Sequence, residues 1–573
     1  MLLTVRALRF DASALRKNRT MEKFNFNFYK WEKTTPNQPF LKQPFGDKWE
    51  TYNYAEVGQM ARKLATGLQS LGLPQKSHIG LSSKNCREWI IADIAIMMAG
   101  YVSVPFYPNL KADMLKELIE LGDVKALFAG KIEDWDSMKE GVPMDMPIIH
   151  FPHYKGCSAI TEGHDWFEFI DQFEPLQGEP SANLDDIWTI IFTSGTTGTP
   201  KGVVVDYRAL DSTKNVLPAN NHLKISTEGD NRFFSFLPLN HIAERILVEE
   251  TCIFYGGTIS FVESLETFPK NLQDTQPTLF FAVPRIWTKF KLGIQSKIPE
   301  KRLSLLLKLP IISGILKKKL RQGLGMTNIR GCLTGASSIP ETTKDFFRRL
   351  DIPIAEGYGM TENCAMCTSL EATQVKPFSV GKPLWGVDLK IDEDTGEILM
   401  KAPFMMKEYY KSPEITAQTI RDGWLHTGDQ GRIDEDGFLF ITGRVKDTFK
   451  TTKGKFITPA PIEWHFDQDL NIEQVCLMGL GCPQPLALVV LSEIGLAKEK
   501  SEVKESLAAT LEKVNSKLKP HEKISTIIVT QDAWSMENGL LTPTLKVKRN
   551  KMNDRYRDLL LGWHEDQEAI IFE

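Results

Sequence analysis

Ten consecutive residues held between two apolar strands limit what this chain can become. Thr189-Ile-Ile-Phe192 reads as one strand and Val203-Val-Val205 as another, with Thr193-Ser-Gly-Thr-Thr-Gly-Thr-Pro-Lys-Gly202 between them. Small hydroxyl and glycine residues let backbone N–H groups approach a polyphosphate, and Lys201 adds positive charge. The order is not that of a Walker loop. No G-x-x-x-x-G-K-S/T run is present, and strand–loop–strand lacks the helix N-terminus such a loop uses. The bland alternative is a polar hairpin without a ligand.

Short apolar runs alternate with helical periods through residues 50–180, as in Tyr54 to Leu71, His78-Ile-Gly-Leu-Ser82 and Ala126-Leu-Phe-Ala129. The same texture resumes at Arg232–Pro238, Gly257–Val262 and Thr278–Val283. Alternation of this kind predicts α/β layers around a largely parallel sheet. Trp89 to Phe106 is the longest apolar run, but Asp93, Gly100 and Pro105 interrupt it. It predicts a buried helix to Ala99, a stop at Gly100 and a strand through Phe106, not a membrane span. After about residue 385, Gly and Asp turns separate short strands, predicting an added β-rich subdomain. From Arg444 a smaller α+β segment follows. The expected division is a tail at 1–20, a large domain at 21–445 and a small mobile domain at 446–573, with the hinge near Lys446.

The 573 residues carry 69 Lys+Arg against 73 Asp+Glu, a net charge of −4. That balance argues against general nucleic-acid binding, which needs a basic surface. Eight scattered cysteines do not make a secreted disulfide scaffold, so an intracellular, cytoplasmic enzyme is expected. Cys364 and Cys367 form a lone C-x-x-C without a second close pair for zinc, and are expected to pack beside a neighbouring site. The basic first twenty residues read equally as a transit peptide, an over-extended start before Met21 or a tail, and carry no assigned function.

The loop Thr193–Gly202 resembles the signature of the adenylate-forming superfamily, which includes acyl-CoA synthetases, peptide-synthetase adenylation domains and firefly luciferase. Further segments follow in that family's order: Gly335-Ala-Ser337, Glu356-Gly-Tyr-Gly-Met-Thr-Glu362, Trp424-Leu-His-Thr-Gly-Asp429, Gly443-Arg-Val-Lys-Asp447 and Leu541-Thr-Pro-Thr-Leu-Lys-Val-Lys-Arg549. The resemblance implies ATP-dependent activation of a carboxylate as acyl-AMP, then transfer to CoA, with Mg²⁺ bound. ATP would be held by Thr193, Ser194, Gly195, Thr196, Thr197, Gly198 and Lys201, and by Gly335, Ala336, Ser337, Glu356, Gly357, Tyr358 and Thr361. Asp429 and Arg444 would take the ribose, and Thr193 and Glu362 the metal. Thr361, Glu362 and Lys546 are the expected catalytic groups, although Leu545 stands where many relatives carry Gly. Lys446 would be the hinge, with Lys450 and Gly454 on the CoA side.

Leu237-Pro-Leu-Asn-His-Ile-Ala-Glu-Arg245 and Pro277-Thr-Leu-Phe-Phe-Ala-Val-Pro-Arg285 resemble stretches of the long-chain fatty acid–CoA ligases. Leu239, His241 and Val283 are the implied acyl-chain contacts, and no acidic residue there could pair with a substrate amine. Rival expectations are a fatty acyl-AMP ligase that loads a carrier-protein phosphopantetheine, and a non-catalytic lipid-binding relative. The reading also allows a homodimer. Lastly, residues 289–321 interleave ten cations with apolar residues against Glu300 alone. That mixture suits either a peripheral membrane surface or two amphipathic helices broken near Pro310 with basic outer faces.

Overall fold

The computed structural model describes residues 22–194, 200–220, 223–466, 469–535, 538–541 and 547–573, without the side chain of Ser194. The first twenty residues, Gly195, Thr196, Thr197, Gly198 and Lys546 lie outside the described residues.

The helix Arg87–Ala99 is buried at every position, because its sequence is apolar around the whole circumference. Gly100 ends it at φ +81°, and the strand Val102–Phe106 follows, as the run predicts. The helix Tyr54–Ser70 starts on a reciprocal cap: the Asn53 side chain accepts from the Glu56 N–H, and the Glu56 carboxylate accepts from the Asn53 N–H. Tyr54–Ser70 packs against Arg87–Ala99, which in turn lies on a sheet of eight strands. Its order is Glu408–Tyr409, Pro200–Asp206, Ile187–Ser194, Val102–Phe106, His78–Ser82, Val124–Ala129, Ile148–His150 and His164–Asp165. The strands from Ile187–Ser194 to His164–Asp165 pair in parallel. Only the hairpin that carries the phosphate-type loop and the short edge strand are antiparallel.

Three further sheets surround this one. Leu279–Phe281, Gly331–Thr334 and Ile354–Tyr358 run parallel in a five-stranded sheet, and Asn231–Ser235 and Gly257–Phe261 run parallel in a four-stranded one. The expected β-rich section is an antiparallel sheet of Asp388–Ile391, Glu397–Lys401, Ile420–Arg421, Trp424–Ile433 and Leu439–Arg444. Ile472–Met478, Leu486–Leu491, Ile527–Val529 and Ile570–Phe572 form a separate C-terminal sheet, with buried apolar cores drawn from residues 457–570.

The basic segment departs from its expectation. It holds three helices, Pro284–Lys297, Glu300–Leu307 and Pro310–Gly323, not two. The break at Pro310 is present, and Pro299 makes a second one because it cannot supply the N–H that would continue the preceding helix. Among the described residues, no helix is long and apolar enough to cross a membrane.

Under the central sheet lies a buried guanidinium. Arg245 opens the π-helical stretch Arg245–Glu250 and is fully enclosed. It reaches Asp93 at 2.5 Å and Glu249 at 3.1 Å, donates to the Thr189 hydroxyl at 2.8 Å, and lies over the Trp188 ring at 4.1 Å. Next to it, Glu244 is also buried and accepts from the Ser235 hydroxyl and the Phe236 N–H. Burial pushes the Glu244 carboxyl up to about 8, and pushes Glu249 and Glu250 upward as well.

Arg245→Met strands Asp93 and Glu249 without their counter-ion and is expected to cost about 3–5 kcal/mol in urea unfolding. Because folded Glu244 keeps a proton that the unfolded chain releases, stability falls as pH rises from about 4.5 to about 8. Urea midpoints at pH 5.5 and pH 8.0 should therefore lie closer together in Glu244→Gln than in the parent chain.

Candidate functional site

Pairing register builds the first half of the site. Thr193 and Lys201 are partners across the hairpin that flanks the phosphate-type loop, and the Thr193 hydroxyl reaches the Lys201 carbonyl at 3.5 Å. Lys201 is half-buried, with its ammonium 5.2 Å from the Tyr409 ring centroid. Burial and the nearby Lys446 ammonium pull its pKa below the ordinary lysine value, against the opposing pull of the Glu362 carboxylate. Tyr409 stands on the edge strand beside this hairpin and donates its hydroxyl to Glu362 Oε1 at 2.7 Å. Burial and that carboxylate push the phenol well above its usual range, so it stays a donor. Thr361 and Glu362 begin a short 3₁₀ turn after the strand Ile354–Tyr358. The turn is followed by left-handed Cys364 and Ala365. A Cβ on Gly359 would lie 2.2 Å from the Ala365 carbonyl carbon, so glycine is required there. Cys364 and Cys367 are buried free thiols under this turn, as packing beside a site predicts.

The second half comes from the β-rich sheet. Asp429 and Arg444 face each other across the pair Trp424–Ile433 and Leu439–Arg444, with Arg444 Nε 3.0 Å from Asp429 Oδ1. Tyr358 crosses from the five-stranded sheet and donates its hydroxyl to Asp429 Oδ2 at 2.7 Å. Asp429 is thereby fixed by two donors, yet each carboxylate oxygen keeps capacity for another. Gly335 and Gly357 lie side by side, since a Cβ on Gly335 would come within 3.0 Å of the Gly357 carbonyl oxygen. Ala336 is left-handed at φ +67°, and both it and Ser337 are exposed.

Other expected residues stand elsewhere. Glu356 is turned into the protein, where its carboxylate pairs with buried Lys344 at 2.7 Å. His241 caps the turn Ile242–Glu244, its Nδ1 accepting from the Ala243 N–H at 3.2 Å. Leu239 is fully buried and Val283 half-buried. None of these three lines the apolar cavity of about 20 Å³ walled by Leu217, Leu247, Val248, Phe281 and Leu333. Leu333 lies two residues before Gly335, so that cavity backs onto the glycine pair. Its walls Leu279, Phe280 and Phe281 lie in the Pro277–Arg285 stretch singled out in the sequence, whereas Leu217, Leu247, Val248 and Leu333 look there like ordinary core.

Lys446 sits between two anchors. The Val445 N–H bonds to the Gly428 carbonyl at 2.9 Å, on the β-rich sheet. Asp447 pairs with Arg549 at 3.2 Å, and Arg549 also holds Glu463 and donates to the Leu477 carbonyl at 3.0 Å, all on the C-terminal side. Lys450 and Gly454 lie on the following hairpin, where the Lys450 ammonium covers the Phe456 ring at 5.4 Å.

The chain is matched by a family model described as AMP-binding enzyme over residues 28–410, and by one described as AMP-binding enzyme C-terminal domain over residues 446–568. It is 28% identical to fatty acyl-CoA synthetase B of Dictyostelium discoideum, over 89% of this chain and 84% of that one. It is likewise 28% identical to long chain acyl-CoA synthetase 4 of Arabidopsis thaliana, over 92% and 89%. Among solved structures, the A domain of carboxylic acid reductase from Segniliparus rugosus, in complex with AMP and a co-purified carboxylic acid, superposes with a TM-score of 0.76. It shares 22% identity with this chain, over 95% of this chain and 93% of that one, which establishes the common fold.

Removing the Lys446 charge relieves one of the two causes that depress Lys201. In Lys446→Ala, the Lys201 ammonium should titrate at higher pH than in the parent chain, as followed by NMR of isotopically labelled lysine side chains.

Proposed function

We propose, for a chain that belongs to the AMP-binding enzyme family, that it activates a long-chain fatty acid with ATP and transfers the acyl group to CoA. In the first step a carboxylate oxygen attacks the α-phosphorus and pyrophosphate leaves. In the second, the CoA sulfur attacks the acyl carbonyl, the bond to AMP breaks and the thiol proton passes to solvent. The observation that carries this reading is the convergence of Thr193, Lys201, Glu362 and the Tyr358–Asp429–Arg444 chain from three different sheets. Joining two anions needs cations and in-line placement, and Lys201 with the backbone of its loop answers that need.

The Thr193 hydroxyl and the second oxygen of Glu362 are hard donors suited to Mg²⁺, which would neutralise phosphate charge when bound. Asp429 would accept the ribose hydroxyls, with Arg444 beside it. Lys546 would stabilise charge during adenylation. Rotation of residues 446–573 about Lys446 would then withdraw it and bring Lys450 and Gly454 toward CoA. The apolar cavity beside Leu333 has no charged wall but holds only about 20 Å³, so it would have to widen to take an acyl tail. The relatives named as fatty acyl-CoA and long chain acyl-CoA synthetases favour the same substrate class.

CoA-thioester formation across acids from acetate upward should peak with long chains, and activity confined to short acids would refute the substrate. Holo-carrier protein should not replace CoA as acceptor. Leu333→Trp, which fills the cavity, should shift preference toward shorter acids while leaving the shortest ones turned over.

A further inference from the structure

We infer that residues 300–323 form a docking face for an anionic lipid bilayer. The helix Pro310–Gly323 has no buried residue; its apolar contacts with the core are half-buried Leu316 and Leu320. Outward it leaves Ile311 82% exposed, with Ile312 at 44% and Ile315 at 56%, and the neighbouring helix and turn leave Leu305 at 62% and Leu309 at 43%. Five large apolar side chains open to solvent within eleven residues make a patch rather than scattered exposure.

Cations surround it. Lys301, Arg302, Lys308, Lys318 and Lys319 are exposed and, among the described residues, take part in no ion pair; Lys317 is held by Asp351 at 2.9 Å. The one acid of the segment, Glu300, is already paired with Arg349 at 2.8 Å and accepts from Ser304 and Gln295. Ile311, Ile315, Lys318 and Lys319 stand at helical spacings of four, three and four, which puts them along one face. Apolar side chains could sink to the acyl boundary while the ammonium groups meet phosphate headgroups. A second copy of the chain fits less well, since a twofold contact would set these same cations against each other.

The test uses the full chain and vesicles of phosphatidylcholine, with or without phosphatidylglycerol, and reads binding by co-sedimentation without turnover. The parent chain should bind the anionic vesicles and scarcely the neutral ones. Lys318→Glu/Lys319→Glu should lower the partition coefficient roughly tenfold or more. Ile311→Ser/Ile315→Ser should remove the part of binding that survives high salt. All four positions are exposed, and unchanged thermal unfolding would verify the fold of each variant. No binding by the parent chain, equal binding to both vesicle types, or parent-like binding by either variant would overturn the inference. So would a dimer, seen by sedimentation, that the isoleucine variant dissolves without altering lipid binding.

Discussion

A charge buried beneath the central sheet holds the strands on which everything else is mounted. The Arg245 guanidinium binds Asp93 on the buried helix, Thr189 on the strand that runs into the phosphate-type loop, and Glu249 on its own helix. Thr189 passes the connection onward by donating to the Ser103 carbonyl of the adjacent strand. Such a network gains less net stability than apolar packing of the same volume would, but it tolerates few alternatives. A helix slipped by one turn, or a strand by one residue, would leave a charge without its partner in a dry interior. The position of Thr193 and Lys201 follows from that registry.

The site itself depends on three sheets meeting at one place. Pairing brings Asp429 to Arg444 and Thr193 to Lys201, whereas Tyr358 and Tyr409 reach between sheets. Both phenols are protonated donors aimed at carboxylates, so each fixes an acid without neutralising it. That leaves Asp429 and Glu362 oriented, each with acceptor capacity to spare, which suits one to ribose hydroxyls and the other to a cation.

The elements with a strong local pattern were legible in the sequence. The helix to Ala99, the Gly100 stop and the strand through Phe106 follow from apolar character and one left-handed glycine. The two strands around the phosphate-type loop and the Gly/Asp turns of the β-rich sheet were equally open to reading. Long-range pairing was not. Nothing local distinguishes Glu356, spent on Lys344, from Glu362, which faces the site. His241 reads as a substrate contact beside Leu239, and nothing local announces that its Nδ1 caps the following turn. Pro299 divides a stretch whose hydrophobic spacing alone predicts one helix. Arg549 only ends the Leu541–Arg549 segment in sequence, yet in the structure it joins Asp447 and Glu463.

That last clamp determines how the proposed rotation would work mechanically. Val445 is bonded to the β-rich sheet and Asp447 to Arg549, so Lys446 stands between the two attachments, inside a turn that the Asp447 N–H closes onto the Arg444 carbonyl. A body the size of residues 446–573 has a radius of gyration of roughly 14 Å. Each 10° turned at such a pivot would therefore carry a side chain at that radius through about 2.4 Å. A lysine within hydrogen-bond reach of a phosphate would leave it after a small fraction of a full swing. Such a pivot would act as a lever, so a substitution at Lys446 would alter both ends of the proposed reaction cycle at once.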